Sequence, residues 1–339
     1  MGLVGLVQLD VRNLCVTRGD TPIVRNVSLS FRGGELVLLL GPSGSGKSTL
    51  LRAMNGFRPG VGRVEIEGRD LYAHFDGLKR SIGYVPQDDV LHASLTVRQV
   101  LDYASRLRLP ETSDEARAAR VTRVLAEVGL SDRRDVRVRH LSGGQRKRVS
   151  VAMELLAEPK LFFLDEPTSG LDPGLEVQIM ELLRRITTED RFTLVTTHVV
   201  SSSTLADLAV FMAKGRVVYV GPPGAAPEFF GVGSLAEVYS VISRDEERWA
   251  RRFEASSLFR TYVLSRPLAL AETNPSSASS SLSSPPATSA TSAHEDEDAH
   301  KDAHEDEHED EHEDEEGTAA LTPEQELARL KAELRSRRG

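Results

Sequence analysis

A glycine-rich stretch at residues 41–48, with the sequence GPSGSGKS, has the residue types and spacing that bind phosphate. It fits the pattern G-x-x-x-x-G-K-[ST], whose glycines let successive backbone N–H groups point at phosphate oxygens. Lys47 would reach the β and γ phosphates of a nucleoside triphosphate, and the Ser48 hydroxyl would ligate Mg²⁺. We therefore predict a triphosphate site whose binding residues are Gly41, Pro42, Ser43, Gly44, Ser45, Gly46, Lys47, Ser48 and Thr49.

Two adjacent acids, Asp165 and Glu166, directly follow the apolar run at residues 161–164. This order places both carboxylates at the carboxyl end of a buried strand, where ligands bind in open α/β sheets. Asp165 is suited to hold Mg²⁺ through water, and Glu166 to polarise the water that attacks the γ phosphate. Taken alone, the pair could also be a solvated acidic turn before Pro167.

The pentapeptide at residues 141–145 reads LSGGQ and precedes a predicted helix over residues 145–157. A serine followed by two glycines at a helix start is either an ordinary N-cap or a second anion-binding site. At this point the chain resembles the ATP-binding cassette (ABC) ATPases, whose signature is LSGGQ. The resemblance implies that ATP is the nucleotide and that a second copy of the chain completes each site. It assigns contact with the partner's γ phosphate to Ser142, Gly143, Gly144 and Gln145.

Three further positions match elements of that family in order along the chain. Gln87 matches the loop glutamine that senses Mg²⁺ and water, Asp172 the loop that crosses the dimer interface, and His198 the histidine that contacts the γ phosphate. The resemblance thus implies catalytic roles for Glu166, His198, Lys47 and Gln87, and a Mg²⁺ site formed by Ser48, Gln87 and Asp165.

One position departs from the family pattern. The aromatic residue that stacks on adenine is replaced by Arg18, whose guanidinium can stack on a base or can simply be a surface charge.

The elements that must position these residues alternate between strand and helix over residues 1–232. Between residues 94 and 160 the pattern is helical, with a capping box at Thr96 and Gln99 and an apolar stripe that stops at Gly129. The predicted fold class is α/β. The resemblance implies a P-loop NTPase core of the ABC ATPase type, an N-terminal antiparallel β portion and an inserted helical subdomain at about residues 88–160. Buried strands are predicted at residues 35–40, 82–85, 161–164, 193–197 and 208–212.

The formal net charge of −9 is unevenly distributed. Residues 294–316 hold fifteen acidic residues and one lysine, a charge of −14, so the remainder carries about +5. With the Ser/Pro-rich stretch before it, this tract makes residues 273–316 a predicted disordered segment. His304, His308 and His312 within it indicate either a solvated charge run or Zn²⁺ ligands on an induced helix. Residues 233–272 are predicted to form a C-terminal helical extension, and residues 317–339 a short amphipathic helix.

Composition excludes several classes of protein. A single cysteine, Cys15, rules out a disulfide framework and a multi-thiolate metal site, and favours a reducing cytosolic setting. No apolar run approaches the roughly 20 residues of a membrane helix.

The resemblance is greatest to G-type half-transporter cassettes and their bacterial relatives, in which a membrane domain follows the cassette. It is carried by residues 83–89, 95–101, 107–110, 145–154 and 215–222. Here a Ser/Pro linker takes that place, so we expect a separate permease polypeptide that holds the chain at the cytoplasmic face of the cell membrane. The expected function is that of the ATP-hydrolysing subunit of a membrane transporter, and the resemblance to these cassettes implies export as its direction. The alternative is a cassette ATPase acting on ribosomes or DNA. No nucleic-acid partner is expected, because tandem cassettes, coiled-coil insertions and cysteine clusters are missing.

Overall fold

The structure is a computed structural model that describes residues 7–198, 200 and 202–268. The chain divides into two units, residues 1–277 and 278–339, and all described residues belong to the first. The predictions for residues 273–316 and 317–339 therefore lie outside the described residues.

The described residues form ten strands, eleven α-helices of widely different length and six short helices of the 3₁₀ or π type. The strands are β1 (Gln8–Arg18), β2 (Thr21–Arg32), β3 (Leu36–Leu40), β4 (Val61–Ile66), β5 (Arg69–Asp70), β6 (Ile82–Val85), β7 (Leu161–Asp165), β8 (Phe192–Thr196), β9 (Leu208–Ala213) and β10 (Arg216–Gly221). The helices are α1 (Lys47–Met54), α2 (Phe75–Leu78), α3 (Val97–Arg108), α4 (Asp114–Glu127), α5 (Gly143–Leu155), α6 (Pro173–Ile186), α7 (Ala226–Phe230), α8 (Leu235–Ile242), α9 (Glu246–Glu254), α10 (Ser257–Phe259) and α11 (Ser265–Leu268).

A six-stranded sheet with the order β10-β9-β3-β8-β7-β6 forms the centre of the fold. Its strands run parallel except β10, which pairs antiparallel with β9. Side chains of β3 alternate between two hydrophobic cores, with Leu38 and Leu40 on one face and Val37 and Leu39 on the other. This burial on both faces explains why the strand is uniformly apolar.

A second sheet, with the order β2-β1-β4-β5, is antiparallel and comes mainly from the N-terminal part of the chain. The ring of Phe31 on β2 stacks on Phe192 of β8, with 5.0 Å between the ring centroids. Phe163 of β7 meets Phe192 edge-on at 6.1 Å. These rings join the two sheets in one core, and the predicted fold class is confirmed.

The helical insertion lies between β6 and β7 and contains α3, α4 and α5. The predicted capping box at the start of α3 is confirmed, with both the Thr96 and the Gln99 side chains bonded to backbone. The helix predicted over residues 145–157 instead begins at Gly143, because Ser142 caps it and places both glycines in its first turn.

The helices that follow β10 pack back onto both sheets. Trp249 of α9 lies 4.9 Å from Phe230 of α7, ring centre to ring centre, and both rings are buried. Near the end of the described chain, Arg266 donates to the Ser30 carbonyl at 2.9 Å and pairs with Glu35. Arg266 therefore attaches the end of this helical segment to β2 and to the connection between β2 and β3.

Replacing Phe192 with alanine is expected to destabilise the fold by about 3–5 kcal/mol, because the cavity would lie between both sheets. Urea denaturation followed by the fluorescence of Trp249, the single tryptophan, measures the loss. Phe57→Ala is the matched control, since Phe57 is 53% exposed and should cost under about 1 kcal/mol. Equal losses in the two variants would contradict the packing described here.

Candidate nucleotide-binding site

The phosphate-binding stretch forms the connection between the end of β3 and the start of α1. Gly41 has φ of 150°, and a Cβ placed on it would meet the carbonyl oxygen of Met212 at 2.3 Å. Gly46 has φ of 100°, and a Cβ there would meet the carbonyl oxygen of Ile23 at 2.8 Å. Glycine is therefore required at both positions by backbone conformation and by close approach.

Lys47 is folded into this loop rather than directed to solvent. Its Nζ donates to the carbonyls of Gly41 at 2.8 Å and Pro42 at 3.1 Å, and the residue is only 6% exposed. Burial lowers the pKa of Lys47, while the carboxylates of Glu166 and Asp165 act in the opposite direction. The loop thus already encloses a cationic side chain at the position where a triphosphate would need one.

Asp165 lies at the end of β7 with its side chain buried. Its Oδ1 accepts hydrogen bonds from the hydroxyls of Ser48 and Thr196, both at 2.8 Å. Its Oδ2 is buried and accepts no hydrogen bond from a described residue, although Arg52 Nη2 lies 3.6 Å away. A carboxylate oxygen without a hydrogen bond, next to the Ser48 hydroxyl, suits a hard cation such as Mg²⁺.

Glu166 follows in a left-handed backbone conformation, with φ of 47°. Its N–H donates to the Thr196 hydroxyl at 2.8 Å, which holds this unusual conformation in place. Gln87 donates from Nε2 to Glu166 Oε2 at 3.3 Å, and His198 Nδ1 lies 3.9 Å from the same oxygen. The structure therefore brings three predicted catalytic side chains together at one edge of the parallel sheet.

The LSGGQ residues lie at the start of α5. The Ser142 hydroxyl accepts from the Gln145 N–H at 3.3 Å, and the Gln145 side chain accepts from the Ser142 N–H at 3.1 Å. A Cβ on Gly143 would meet Leu171, and one on Gly144 would meet Leu175, each at 3.2 Å. Close packing of α5 against the start of α6 is thus a second reason for the glycine pair.

Two other predicted residues lie apart from the loop. Asp172 caps α6, where its Oδ1 accepts from the N–H groups of Gly174 and Leu175. Arg18 lies at the exposed end of β1. Within the described ranges, no hydrogen bond or ion pair connects residues 142–145 with residues 41–49.

Comparison with known proteins identifies the family. Residues 24–169 match the family described as ABC transporter. The chain is also 43% identical over 251 residues to the ABC transporter ATP-binding/permease protein Rv1747 of Mycobacterium tuberculosis. The chain belongs to the ABC ATPase family.

Other ABC proteins resemble the chain over the same region. ABC transporter G family member 26 of Arabidopsis thaliana is 36% identical over 220 residues, and the match covers 62% of this chain. The chain spans only 29% of the Mycobacterium protein and 32% of the Arabidopsis protein. Among solved structures, cbiO1 of Clostridium perfringens, part of the ABC transporter complex cbiONQ, has a TM-score of 0.60 and 29% identity. That match covers 73% of this chain and 98% of cbiO1.

Two residues of the ABC site were missed by sequence reasoning. Thr196 pairs in register with Asp165 on the neighbouring strand and bonds both acids of the pair. Arg52 is four residues after Ser48 on α1 and therefore lies on the same helix face, toward Asp165. The helical spacing from Ser48 was a signal that could have found Arg52.

A groove of about 520 Å³ opens on the helical insertion, a few residues beyond Gln87. It is mainly apolar, and three of its residues are exposed large hydrophobics: Val90 at 79%, Tyr103 at 52% and Leu107 at 84%. Exposed apolar side chains gathered in one groove are typical of a protein-binding surface. Within residues 7–268, apart from positions 199 and 201, no helix has the length and apolar character needed to cross a bilayer.

Proposed function

We propose that this chain binds and hydrolyses ATP as the energy-supplying subunit of a membrane transporter. The observation that carries this proposal is the arrangement at the sheet edge. Ser48 of the phosphate loop is hydrogen bonded to Asp165, and Gln87 is hydrogen bonded to Glu166. Both members of the Asp-Glu pair are thus connected to residues suited to hold a nucleotide and the attacking water.

The proposed chemistry follows from the position of each side chain. The N–H groups of the phosphate loop and the N-terminus of α1 bind the phosphates, and Lys47 exchanges its loop carbonyls for phosphate oxygens. Glu166 accepts the proton of the attacking water, and Gln87 and His198 orient that water beside Oε2. Ser48, Asp165 and Gln87 would hold Mg²⁺, which when bound neutralises charge on the β and γ phosphates.

We further infer that the chain acts as a homodimer. Residues 142–145 have no hydrogen bond to the phosphate loop of their own chain, yet they present a capped helix N-terminus suited to an anion. In a two-fold dimer, this N-terminus of each copy would meet the nucleotide held by the other. ATP would then hold the two copies together, and loss of the γ phosphate would release them.

The partner that we propose for the groove at Val90, Tyr103 and Leu107 is a segment of a separate transmembrane permease. Two observations support this choice. The groove begins at Val90, three residues after Gln87, so its occupancy can influence the segment that carries the Gln87 side chain to Glu166. One similar protein is an ABC transporter ATP-binding/permease protein, and another, cbiO1, is part of an ABC transporter complex. The chain would then lie at the cytoplasmic face of the cell membrane, and by its likeness to G family transporters it would serve export.

Replacing Val90 with glutamate is expected to weaken binding of the chain to its membrane partner on the order of tenfold or more, because the groove would bury an unpaired charge. The measurement is the fraction of tagged chain that sediments with membranes of the native cells. Turnover of ATP by the purified protein should stay within about twofold of the native rate, since Val90 is outside the catalytic cluster.

Val61→Glu is the matched control, because Val61 is equally exposed, at 79%, but lies on β4 of the antiparallel sheet. Only the change at Val90 should alter membrane association. Equal sedimentation of both variants with membranes would contradict the permease-binding groove.

A further inference from the structure

One face of α5 carries three polar side chains toward the chain segment at residues 84–89. Lys147, Ser150 and Glu154 are separated by three and four residues, so they lie on the same side of the helix. All three are hydrogen bonded or paired to that segment. Polar side chains this close to a hydrophobic core are costly unless they are fully partnered, and these are partnered across one interface.

Lys147 is the most buried charge of the group, at 5% exposure. Its Nζ donates to the backbone carbonyl of Gln87 at 3.0 Å and pairs with Asp89 Oδ1 at 2.9 Å. The Ser150 hydroxyl donates to the same Asp89 oxygen at 2.9 Å. The Lys147 ammonium group therefore binds both the backbone of Gln87 and the side chain of Asp89.

Glu154 makes a second attachment two helical turns beyond Lys147 on α5. Its Oε2 accepts from the Tyr84 N–H at 3.2 Å, and its Oε1 is paired with Arg108 at the end of α3. Burial raises the pKa of Glu154, against the opposing effects of Arg108 and the Tyr84 N–H. Strand β6 and the loop after it are thus fastened to α5 at both ends of the segment.

Lys147 connects two parts of the chain, Gln87 and helix α5, that have different roles in the proposed function. Gln87 contacts Glu166 in the catalytic cluster of its own chain. The N-terminus of α5, which begins after Ser142, is the part that we assign to the nucleotide of the partner copy. Lys147 lies in the second turn of the same helix and touches neither Glu166 nor the phosphate loop by any hydrogen bond or ion pair within the described ranges.

We propose that Lys147 is a positioning residue that makes the placement of Gln87 beside Glu166 depend on the orientation of α5. Lys147 thereby couples two sites. One is the cluster of Gln87 and Glu166 at the nucleotide of its own chain, and the other is the N-terminus of α5, which serves the nucleotide of the partner copy. A rotation of α5 on nucleotide binding is transmitted through Lys147 and Asp89 to the Gln87 backbone. This inference rests on the proposed function, because it requires ATP turnover by a dimer.

The test compares full-length chains carrying Lys147→Met, Lys147→Arg and, as a matched control, Lys160→Met. Lys160 also forms an ion pair, with Glu67 at 2.7 Å, but its side chain is 48% exposed. We measure kcat for phosphate release. Separately, we measure the Kd of ATP at low protein concentration. The expected result for Lys147→Met is a fall in kcat on the order of tenfold or more, because the positioning of Gln87 beside Glu166 is lost. The Kd should stay within about twofold of native, because the phosphate loop and Lys47, which bind the triphosphate, are unchanged.

Lys147→Arg should recover part of the lost turnover, since a guanidinium can still donate to the Gln87 carbonyl and pair with Asp89. Lys160→Met should match the native chain in both quantities. Ser150→Ala, which removes one hydroxyl and no charge, provides a variant of low folding risk. It should reduce kcat in the same direction, by roughly twofold to fivefold, with Kd unchanged.

A native kcat in Lys147→Met overturns the proposal, and so does a rise in Kd as large as the fall in kcat. If Lys147→Met does not fold, a native kcat in both Ser150→Ala and Asp89→Asn overturns it. A native chain that releases no phosphate from Mg-ATP would instead refute the proposed function. The failure of the positioning role and the failure of the ATPase assignment therefore give different results.

Discussion

The Glu166→Gln chain is expected to lose turnover of ATP by a factor on the order of a hundred to ten thousand, the usual contribution of a general base. Glutamine keeps the length of the side chain but cannot accept the proton of the attacking water. The N–H of residue 166 would still donate to Thr196, so the left-handed backbone and the neighbouring Asp165 are preserved. Phosphate release by the purified chain with Mg-ATP measures the loss.

Binding of ATP should survive the same change, and a closed dimer should accumulate because its release needs hydrolysis. Light scattering after gel filtration, with and without Mg-ATP, measures the dimer. Glu158→Gln is the matched control, since Glu158 is also a left-handed glutamate, with φ of 48°, but lies outside the catalytic cluster. Undiminished hydrolysis by the Glu166→Gln chain would contradict the assignment of the base.

Lys47→Ala should abolish measurable turnover and weaken binding of ATP by roughly tenfold to a hundredfold. The estimate follows from charge-assisted hydrogen bonds to phosphate, each worth about 1.5–3 kcal/mol. Burial removes part of the hydration of the Lys47 side chain before a nucleotide binds, and this loss of hydration lowers its pKa. Calorimetric titration with ATP measures the affinity.

The control for Lys47 is Lys79→Ala. Lys79 directly follows α2 and is paired with Asp76 at the surface, so its loss should leave the affinity for ATP unchanged. The free energy of unfolding should be compared in the native, Lys47→Ala and Lys79→Ala chains. Lys47 also donates hydrogen bonds to the carbonyls of Gly41 and Pro42, so its loss can change stability as well as affinity. Native affinity in the Lys47→Ala chain would contradict its proposed phosphate contact.

Sequence reasoning succeeded where a pattern is local and its chemistry has few solutions. A buried strand at residues 35–40 followed by the glycine-rich stretch predicted a loop at the end of the strand, and β3 ends at Leu40. The apolar run before Asp165 predicted a strand end, and β7 ends at that residue. Both predictions need only near neighbours along the chain, for which periodicity and glycine content are direct signals.

Contacts between distant parts of the chain could not be predicted in the same way. Thr196 bonds Asp165 only because β8 lies next to β7, and strand order is not encoded in local periodicity. The attachment of Lys147 to Gln87 joins residues 60 positions apart, and Arg266 reaches Glu35 across 231 positions. Sequence reasoning recognised the stretch around Lys147 as a family resemblance but had no geometry from which to assign it a role.

The start of α5 shows a different limit. Glycine disfavours helix interiors, so the two glycines of LSGGQ favoured a later helix start than the one observed. The capping box formed by Ser142 and Gln145 outweighs that propensity. A Cβ on either glycine would lie 3.2 Å from Leu171 or Leu175, so a larger residue would require these leucine side chains to shift. The local capping box and the packing against Leu171 and Leu175 together determined a boundary that propensity placed two residues too late.

The most direct test of the account is phosphate release by an equal mixture of two inactive chains, Lys47→Ala and Ser142→Arg. The first lacks the phosphate-loop lysine and the second has a blocked signature helix, so neither can form a complete site with itself. If each site combines the phosphate loop of one copy with the α5 N-terminus of the other, the mixture should recover about a quarter of native turnover, because half of the dimers hold one complete site of two. A mixture that releases no more phosphate than its separate components would contradict the composite dimer site.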